Sequence, residues 1–178
     1  MTTIKVNTPL LTSYGLTTKH ISNLHKLADY LYKLPRKYGH FDMQHYCEQD
    51  HFLIEPDDAP KMINECGTSA CAAGHGPMAG IHTKEYTDYW ADYVQECFLG
   101  DQYGEHYGEM FDQLFDTDWA GIDNTPKGAA ARIYYFLTHG LDSEVMDTFN
   151  GYNSLTLSKV LMSHMARVYN HLHELGEL

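Results

Sequence analysis

The chain has 178 residues, 43% of them hydrophobic and 20% charged, a balance that suits one globular domain with its own core. Twelve basic and twenty-four acidic side chains give a formal net charge of −12, which repels nucleic-acid phosphate and argues against DNA or RNA binding. No apolar run reaches the roughly 18 residues of a membrane span. The first fifteen residues carry no apolar block of signal-peptide length, so we expect a cytoplasmic protein with free cysteines.

The first strong helical pattern lies in residues 17–35, where isoleucine, leucine and alanine recur along one face. Thr17 or Thr18 can cap its start, and Pro35 prevents its continuation. Residues 36–65 follow as a long loop without helical periodicity, and such a loop in a compact domain usually has a function or packing of its own. Strand candidates are limited to "TIKVNT" and "HFLIE", each either an edge strand or coil.

Helical patterns fill most of the remaining chain. An aromatic stripe predicts a helix over 85–99. Thr125 as N-cap, Pro126 at the first helical position and Gly140 past the last turn bound another helix. The last helix is predicted at 154–175, and shorter helices are expected at 69–80, 107–116 and 143–149.

These elements predict a mainly α-helical fold, a compact single-domain bundle spanning residues 1–178. At most a short β-ribbon or edge strand accompanies the helices. We expect the small-residue helix at 69–80 and the aromatic helix at 85–99 to lie at the centre of the packing.

In the stretch "ECGTSACAAGHGPMAG" (65–80), two cysteines and a histidine lie within a run of small residues. The stretch allows three interpretations. In the first, Cys66, Cys71 and His75 bind zinc. The fourth ligand would then be one of His40, His45, Cys47 and His51. The residue types suit zinc, but the spacing matches none of the common zinc motifs.

The second interpretation is a cysteine-dependent enzyme. Cys71 or Cys66 would be the nucleophile, His75 the base, and Asp42 a carboxylate that orients the base. Thr68 or Ser69 would cap the helix that carries them, which places Cys66 near exposed backbone N–H groups. The third interpretation is packing alone, because glycine and alanine let another element approach closely and a buried cysteine behaves as a small hydrophobic residue.

Tyrosines in "GDQYGEHYGEMF" (100–111) are candidates for an aromatic binding surface, with Tyr103 and Tyr107 at its centre. Binding candidates are therefore Asp42, Cys66, Thr68, Cys71, His75, Tyr103 and Tyr107.

Four motifs together resemble a family of small uncharacterised proteins of tailed bacteriophages and bacteria. They are "FDM" (41–43), "CGTSACAAGH" (66–75), F-x-x-L-F-x-x-x-W (111–119) and T-P-x-x-A-A-x-R-I (125–133). The shared core is CGTxxCxxG(H/W) followed by a tryptophan and a TP-capped helix. The resemblance implies a phage or bacterial setting, hence the host cytoplasm, and brings no known activity with it.

The sequence thus favours a non-enzymatic, phage-associated accessory protein that binds a host protein or a small ligand. The absence of a complete catalytic motif and the acidic charge support this hypothesis, since acidic charge can steer a protein toward a basic partner. The alternative is a small cysteine- or zinc-dependent enzyme centred on Cys66, Cys71 and His75.

Overall fold

A computed structural model gives the fold, and it describes residues 4–45, 48–49, 52–53, 55–56, 58–60, 69–84, 89–150 and 154–174. Its elements in chain order are α1 (Thr8–Ser13), α2 (Thr18–Lys33), β1 (Glu48–Gln49), β2 (Phe52–Leu53), a 3-10 turn (Ala73–His75), α3 (Trp90–Val94) with a π-helical turn (Gln95–Leu99), α4 (Tyr107–Phe115), a 3-10 turn (Thr117–Gly121), α5 (Pro126–His139), α6 (Ser143–Asn150) and α7 (Ser154–Glu174). The fold is mainly helical, as predicted.

The predicted helix caps are confirmed. Thr17 Oγ1 accepts a hydrogen bond from His20 N, and His20 Nδ1 accepts one from Thr17 N, both at 3.3 Å. Thr125 Oγ1 accepts from Gly128 N at 3.0 Å, and Pro126 occupies the first turn of α5. Side-chain caps satisfy backbone N–H groups that the first helical turn leaves free, so these residues fix where the two helices begin.

Helix α5 lies at the centre of the core, with all its residues from Gly128 to Tyr134 buried. Its most extensive contact is with α2, and α4 and α7 pack against it as well. The Tyr134 hydroxyl donates to Asp29 Oδ1 at 2.7 Å, a bond that joins α5 to α2. The described strands form one antiparallel ribbon, in which Glu48 pairs with Leu53 and Gln49 with Phe52, and a separate parallel bridge joins Phe41 to Ala70.

The helix predicted at 69–80 is wrong. Only Ala73–His75 is helical, as a single 3-10 turn. Ala70 and Cys71 instead pair with the preceding loop, since their N–H groups donate to the carbonyls of His40 (2.9 Å) and His45 (2.6 Å). Glycine has low helix propensity, so the bonds from Ala70 and Cys71 to the preceding loop decide the conformation.

The expected tight packing of this segment is present. Residues from Ala70 to Gly76 are buried. A side chain on Gly76 would collide with the Tyr93 hydroxyl and come within 2.9 Å of Phe98 Cζ. Small residues here therefore let α3 and its π-helical turn close over the segment.

Two other differences concern short segments of the chain. Residues 85–88 lie outside the described residues, and the regular part of the aromatic helix begins at Trp90 and ends in the π-helical turn. The short helix α1 was not predicted, although Asn7 caps it and Pro9 lies in its first turn. Among the described helices, none is both long and apolar enough to cross a bilayer.

Substituting Gly140 tests how α5 ends. Gly140 has φ 79° and ψ −152°, a conformation open mainly to glycine. An added Cβ would lie 2.6 Å from Tyr14 Oη. We expect Gly140→Ala to lower the free energy of unfolding by about 2 kcal/mol in urea denaturation. Gly121→Ala is the control, because Gly121 is exposed and has no atom within 4 Å of the added carbon. Equal stability of the two variants would contradict the expectation.

Candidate functional site

His75 is a fully buried histidine held among aromatic rings. Its ring stacks on Phe41 with centroids 5.6 Å apart and planes 7° from parallel, and Tyr30 and Tyr38 lie at 6.1 and 5.8 Å. His75 Nε2 lies 3.2 Å from the His40 carbonyl oxygen, which can only accept, so Nε2 carries the proton. Burial lowers the pKa of His75 to about 4, so the imidazole is neutral at pH 7.

Cys71 is not hydrogen-bonded to this imidazole. His75 Nε2 is bonded to the His40 carbonyl, and among the described residues His75 Nδ1 has no hydrogen-bond partner. Cys71 is 2% exposed, and burial raises the pKa of its thiol to about 11. A catalytic thiol requires the opposite, a lowered pKa and a base within hydrogen-bond reach. The pairing of nucleophile and base that the enzyme interpretation expects between these two residues is thus not formed.

The other members of the predicted cluster are only partly described. Cys66 and Thr68 lie outside the described residues, as do Cys47 and His51. Within the described part of the chain, no three histidine, cysteine, aspartate or glutamate side chains group closely enough to hold a metal ion. Zinc binding by Cys66, Cys71 and His75 therefore stays a prediction.

Asp42 connects two of the sequence motifs. Its Oδ1 accepts hydrogen bonds from Gln44 N (3.0 Å) and from Asn124 Nδ2 (3.2 Å). Asn124 Oδ1 in turn accepts from Met43 N at 2.8 Å. The side chain of Asn124, just before α5, thus holds the loop that carries Asp42. These bonds give Asp42 a structural role, and they do not direct it toward His75.

A buried arginine lies next to this loop. Arg132 of α5 is fully buried, and its guanidinium lies 4.4 Å from the Trp119 ring centroid. Its terminal nitrogens approach the sulfur atoms of Met43 at 3.7 Å and Met165 at 4.0 Å, and its Nε has no partner within the described part of the chain. Burial lowers the pKa of Arg132 to about 10, although Asp123 opposes the shift from a greater distance. Three of the four motifs therefore meet around Arg132, through Met43 and Trp119, and the fourth contacts the first through the stacking of His75 on Phe41.

A second candidate site is an acidic surface, which we define as residues 101–118. It carries six carboxylates and no lysine or arginine: Asp101, Glu105, Glu109, Asp112, Asp116 and Asp118. The pKa of Asp112 is raised to about 6 by partial burial and then by its neighbours Asp116, Asp118 and Glu109. The pKa of Asp116 is raised as well, again by burial and by Asp118. Like charges are thus crowded on this surface.

The two predicted tyrosines lie on the acidic surface in different environments. Tyr103 is 87% exposed, one of the most exposed large side chains of the described residues. Tyr107 is half-buried and stacks on Phe111 with centroids 6.5 Å apart. Burial, followed by the charge of Asp92, raises the pKa of Tyr107. Of the two, Tyr103 is available to a partner and Tyr107 supports the surface beneath it.

An open cleft of about 610 Å³ lies beside the π-helical turn, between Thr17 of the α2 cap and Asp101. Its polar groups are largely bonded to one another. Glu96 Oε1 accepts from Lys19 Nζ at 3.1 Å and from Lys84 N at 2.9 Å. These bonds lower the pKa of Glu96, although partial burial opposes the shift. Because the Glu96 carboxylate is already bonded to Lys19 Nζ and Lys84 N, the cleft is a weaker candidate than the acidic surface.

Sequence reasoning missed Arg132 and the acidic surface for different reasons. Arginine is almost never fully buried, and composition alone does not place Arg132 inside the core. A signal was nevertheless present, because Arg132 follows three alanines on a helix with few charged residues. The acidic surface was visible as eighteen residues without a lysine or arginine.

The reactivity of Cys71 tests the enzyme interpretation. A thiol pKa of about 11, against an ordinary value of 9.0, leaves roughly 100-fold less thiolate at neutral pH. Burial adds to this protection. We therefore expect iodoacetamide to modify Cys71 at least 100-fold more slowly in the native protein than in denaturant, measured by mass spectrometry of the peptide that contains it. Rapid modification of the native protein would restore Cys71 as a candidate nucleophile.

Arg132 allows a separate prediction. A buried ion without a close carboxylate is costly to desolvate, and replacing buried charges by apolar residues of similar volume is often neutral or stabilising. We expect Arg132→Met to leave the free energy of unfolding unchanged or to raise it by about 1–3 kcal/mol in urea denaturation. Arg132→Lys should lower it, because an ammonium group cannot stack on Trp119 as a planar guanidinium does. A large loss of stability in Arg132→Met would contradict this account.

No protein-family model, no curated protein and no solved structure matches this chain.

Proposed function

We propose that this chain is a non-enzymatic binding protein whose acidic surface, residues 101–118, binds a basic region of a host protein. One observation carries the proposal: Asp112, whose pKa is raised to about 6 by partial burial and then by the crowded carboxylates of Asp116, Asp118 and Glu109. Such crowding destabilises the free protein at neutral pH. A basic partner would relieve the repulsion between these carboxylates. The free energy that the repulsion costs the free protein would then contribute to binding.

The acidic surface also offers an anchor for a partner. Tyr103 is 87% exposed on a turn whose Asp101 side chain accepts a hydrogen bond from Tyr103 N at 3.0 Å. A tyrosine carries a large apolar ring and a polar hydroxyl, and tyrosines are enriched among the residues that dominate binding energy. Tyr107 packs on Phe111 and gives the surface a rigid base. A surface that carries carboxylates and an exposed aromatic ring suits a lysine- or arginine-rich segment, which can bind by ion pairs and cation–π contacts.

The buried thiol argues against the enzymatic alternative. Cys71 has a raised pKa and no hydrogen bond to His75, and the His75 ring is enclosed by aromatic residues. Both residues behave as parts of the core. Their chemistry favours a scaffold that presents a surface over a site that performs a reaction.

The phage association and the host cytoplasm belong to the same proposal, and they rest on the motif resemblance. The motifs that carry it meet around Arg132 and His75, inside the core. They would therefore define the shared scaffold, whereas the exposed acidic surface would select the partner. A partner of opposite charge also suits a protein of net charge −12.

The proposal is tested with two variants of equal net charge. The surface variant carries Asp112→Asn, Asp116→Asn and Asp118→Asn. The control variant carries Asp58→Asn, Asp147→Asn and Glu174→Gln, which remove three exposed charges elsewhere. Binding of each to a fluorescent lysine-rich peptide is measured by anisotropy at low salt. We expect the surface variant to bind at least 10-fold more weakly than the wild type and the control to stay within about 2-fold. Equal losses of affinity in both variants would show that net charge alone causes the effect, and they would overturn the proposal.

The same surface predicts a gain of stability when Asp112 loses its charge. The pKa of Asp112 in the folded protein, about 6, lies above its ordinary value of 3.8. The folded state therefore holds a proton more tightly, and stability is lost as the pH rises through this range. Solvent screening limits the effect, so we expect Asp112→Asn to raise the free energy of unfolding by about 1 kcal/mol at pH 7. Below pH 4 the gain should vanish. A loss of stability at pH 7 would contradict the crowding on which the proposal rests.

A further inference from the structure

Two histidines meet at the surface where α5 and α7 end. His139 is the last residue of α5, and His171 lies in the last turn of α7. Their ring centroids are 4.5 Å apart, with planes at 85°. Tyr135 stacks on His139 at 4.3 Å, and this contact fixes the ring orientation. His139 is exposed and His171 half-buried, so the pair is open to solvent.

The hydroxyl of Thr138 assigns the protons of both rings. Thr138 Oγ1 lies 3.1 Å from Tyr134 O and 2.9 Å from Tyr135 O, so its own proton goes to one of these carbonyls. Its lone pairs can then accept from His139 Nδ1 at 2.7 Å and from His171 Nε2 at 3.4 Å. His139 Nδ1 also lies 3.3 Å from Tyr135 O, again an acceptor. This network leaves lone pairs on His139 Nε2 and on His171 Nδ1.

We propose that His139 and His171 form a two-histidine binding site for a divalent transition-metal ion such as Ni²⁺ or Zn²⁺, with water completing the coordination. A metal–nitrogen distance of about 2.0–2.1 Å places each ring centroid about 3.2 Å from the ion. Two imidazoles at angles between a right angle and the tetrahedral angle then have centroids about 4.5–5.2 Å apart. The observed 4.5 Å falls at the lower end of this range. Thr138 is a positioning residue, since it orients both imidazoles by accepting their N–H groups.

The surroundings favour a cation at this place. Both histidines lie at helix C-termini, where the helix dipole carries partial negative charge. Glu174, one turn beyond His171, adds a carboxylate whose charge acts on His171. Partial burial and then the neighbouring His139 lower the pKa of His171. This site is separate from Cys66, Cys71 and His75, and it does not depend on the proposed function.

The test is a titration of Ni²⁺ alone into the full chain after treatment with a chelator, followed by calorimetry at pH 7.5. We expect one saturable equivalent, and we expect His139→Asn and His171→Asn each to weaken it at least 10-fold. His173→Asn is the matched control, because His173 is an exposed histidine two residues from His171 on the same helix. It should change the affinity less than about 2-fold. Cys66→Ser should also leave the affinity unchanged, which separates this site from zinc binding by cysteine.

The threonine gives a second readout. Thr138→Val removes the hydroxyl that both imidazoles share, and it should weaken Ni²⁺ binding several-fold. Thr138→Ser keeps the hydroxyl and should restore the affinity. Thermal unfolding of each variant checks that the fold is intact. The proposal is overturned if no saturable binding occurs, or if His139→Asn and His171→Asn bind Ni²⁺ as tightly as the wild type.

Discussion

The burial of one positive charge constrains the centre of this fold. Arg132 lies fully inside the core, and no described carboxylate lies close enough to form an ion pair with it. The ring face of Trp119 and the sulfur atoms of Met43 and Met165 surround the guanidinium instead. Because an unsolvated charge tolerates few arrangements, the loop with Met43, the turn with Trp119 and helix α7 must each reach α5 in one way. This requirement explains why the three distant motifs that hold Met43, Trp119 and Arg132 meet at one point.

Trp119 links the buried charge to the acidic surface. One face of its ring lies over Arg132, and its indole N–H donates to the Asp112 carbonyl at 2.9 Å. Asp112 is the residue whose carboxyl has the most crowded surroundings on that surface. Trp119 thus contacts the buried Arg132 through its ring face and the backbone of the acidic surface through its indole N–H. A partner that changed the charge state of the acidic surface would act on the residue that also covers Arg132.

The features that could be predicted from the sequence are those fixed by neighbours along the chain. Thr17 and Thr125 fix where two helices begin, and Gly140 fixes where α5 ends. Each acts through bonds or backbone angles within a few residues, and their roles were predicted correctly. The segment at 69–80 was mispredicted because bonds from His40 and His45, about thirty residues earlier, decide its conformation. The burial of Arg132 likewise depends on packing between distant segments. So does the lack of a hydrogen bond between the Cys71 thiol and the His75 imidazole. The sequence does not distinguish the environments of the two predicted tyrosines. The structure shows that Tyr103 is exposed and that Tyr107 packs on Phe111.

The pairing of α2 with α5 has a consequence for the chain during its synthesis. The bond between Tyr134 and Asp29 joins residues 105 positions apart, and Asn7 N donates to the Leu137 carbonyl at 2.9 Å. Helix α2 therefore lacks the partner of its most extensive contact, α5, until most of the polypeptide has left the ribosome. At about 5–20 residues per second, that interval lasts several seconds. During it, Leu24, Leu27 and Leu31 face water or a chaperone, and the acidic charge of the chain opposes aggregation while the ribosome is still at work.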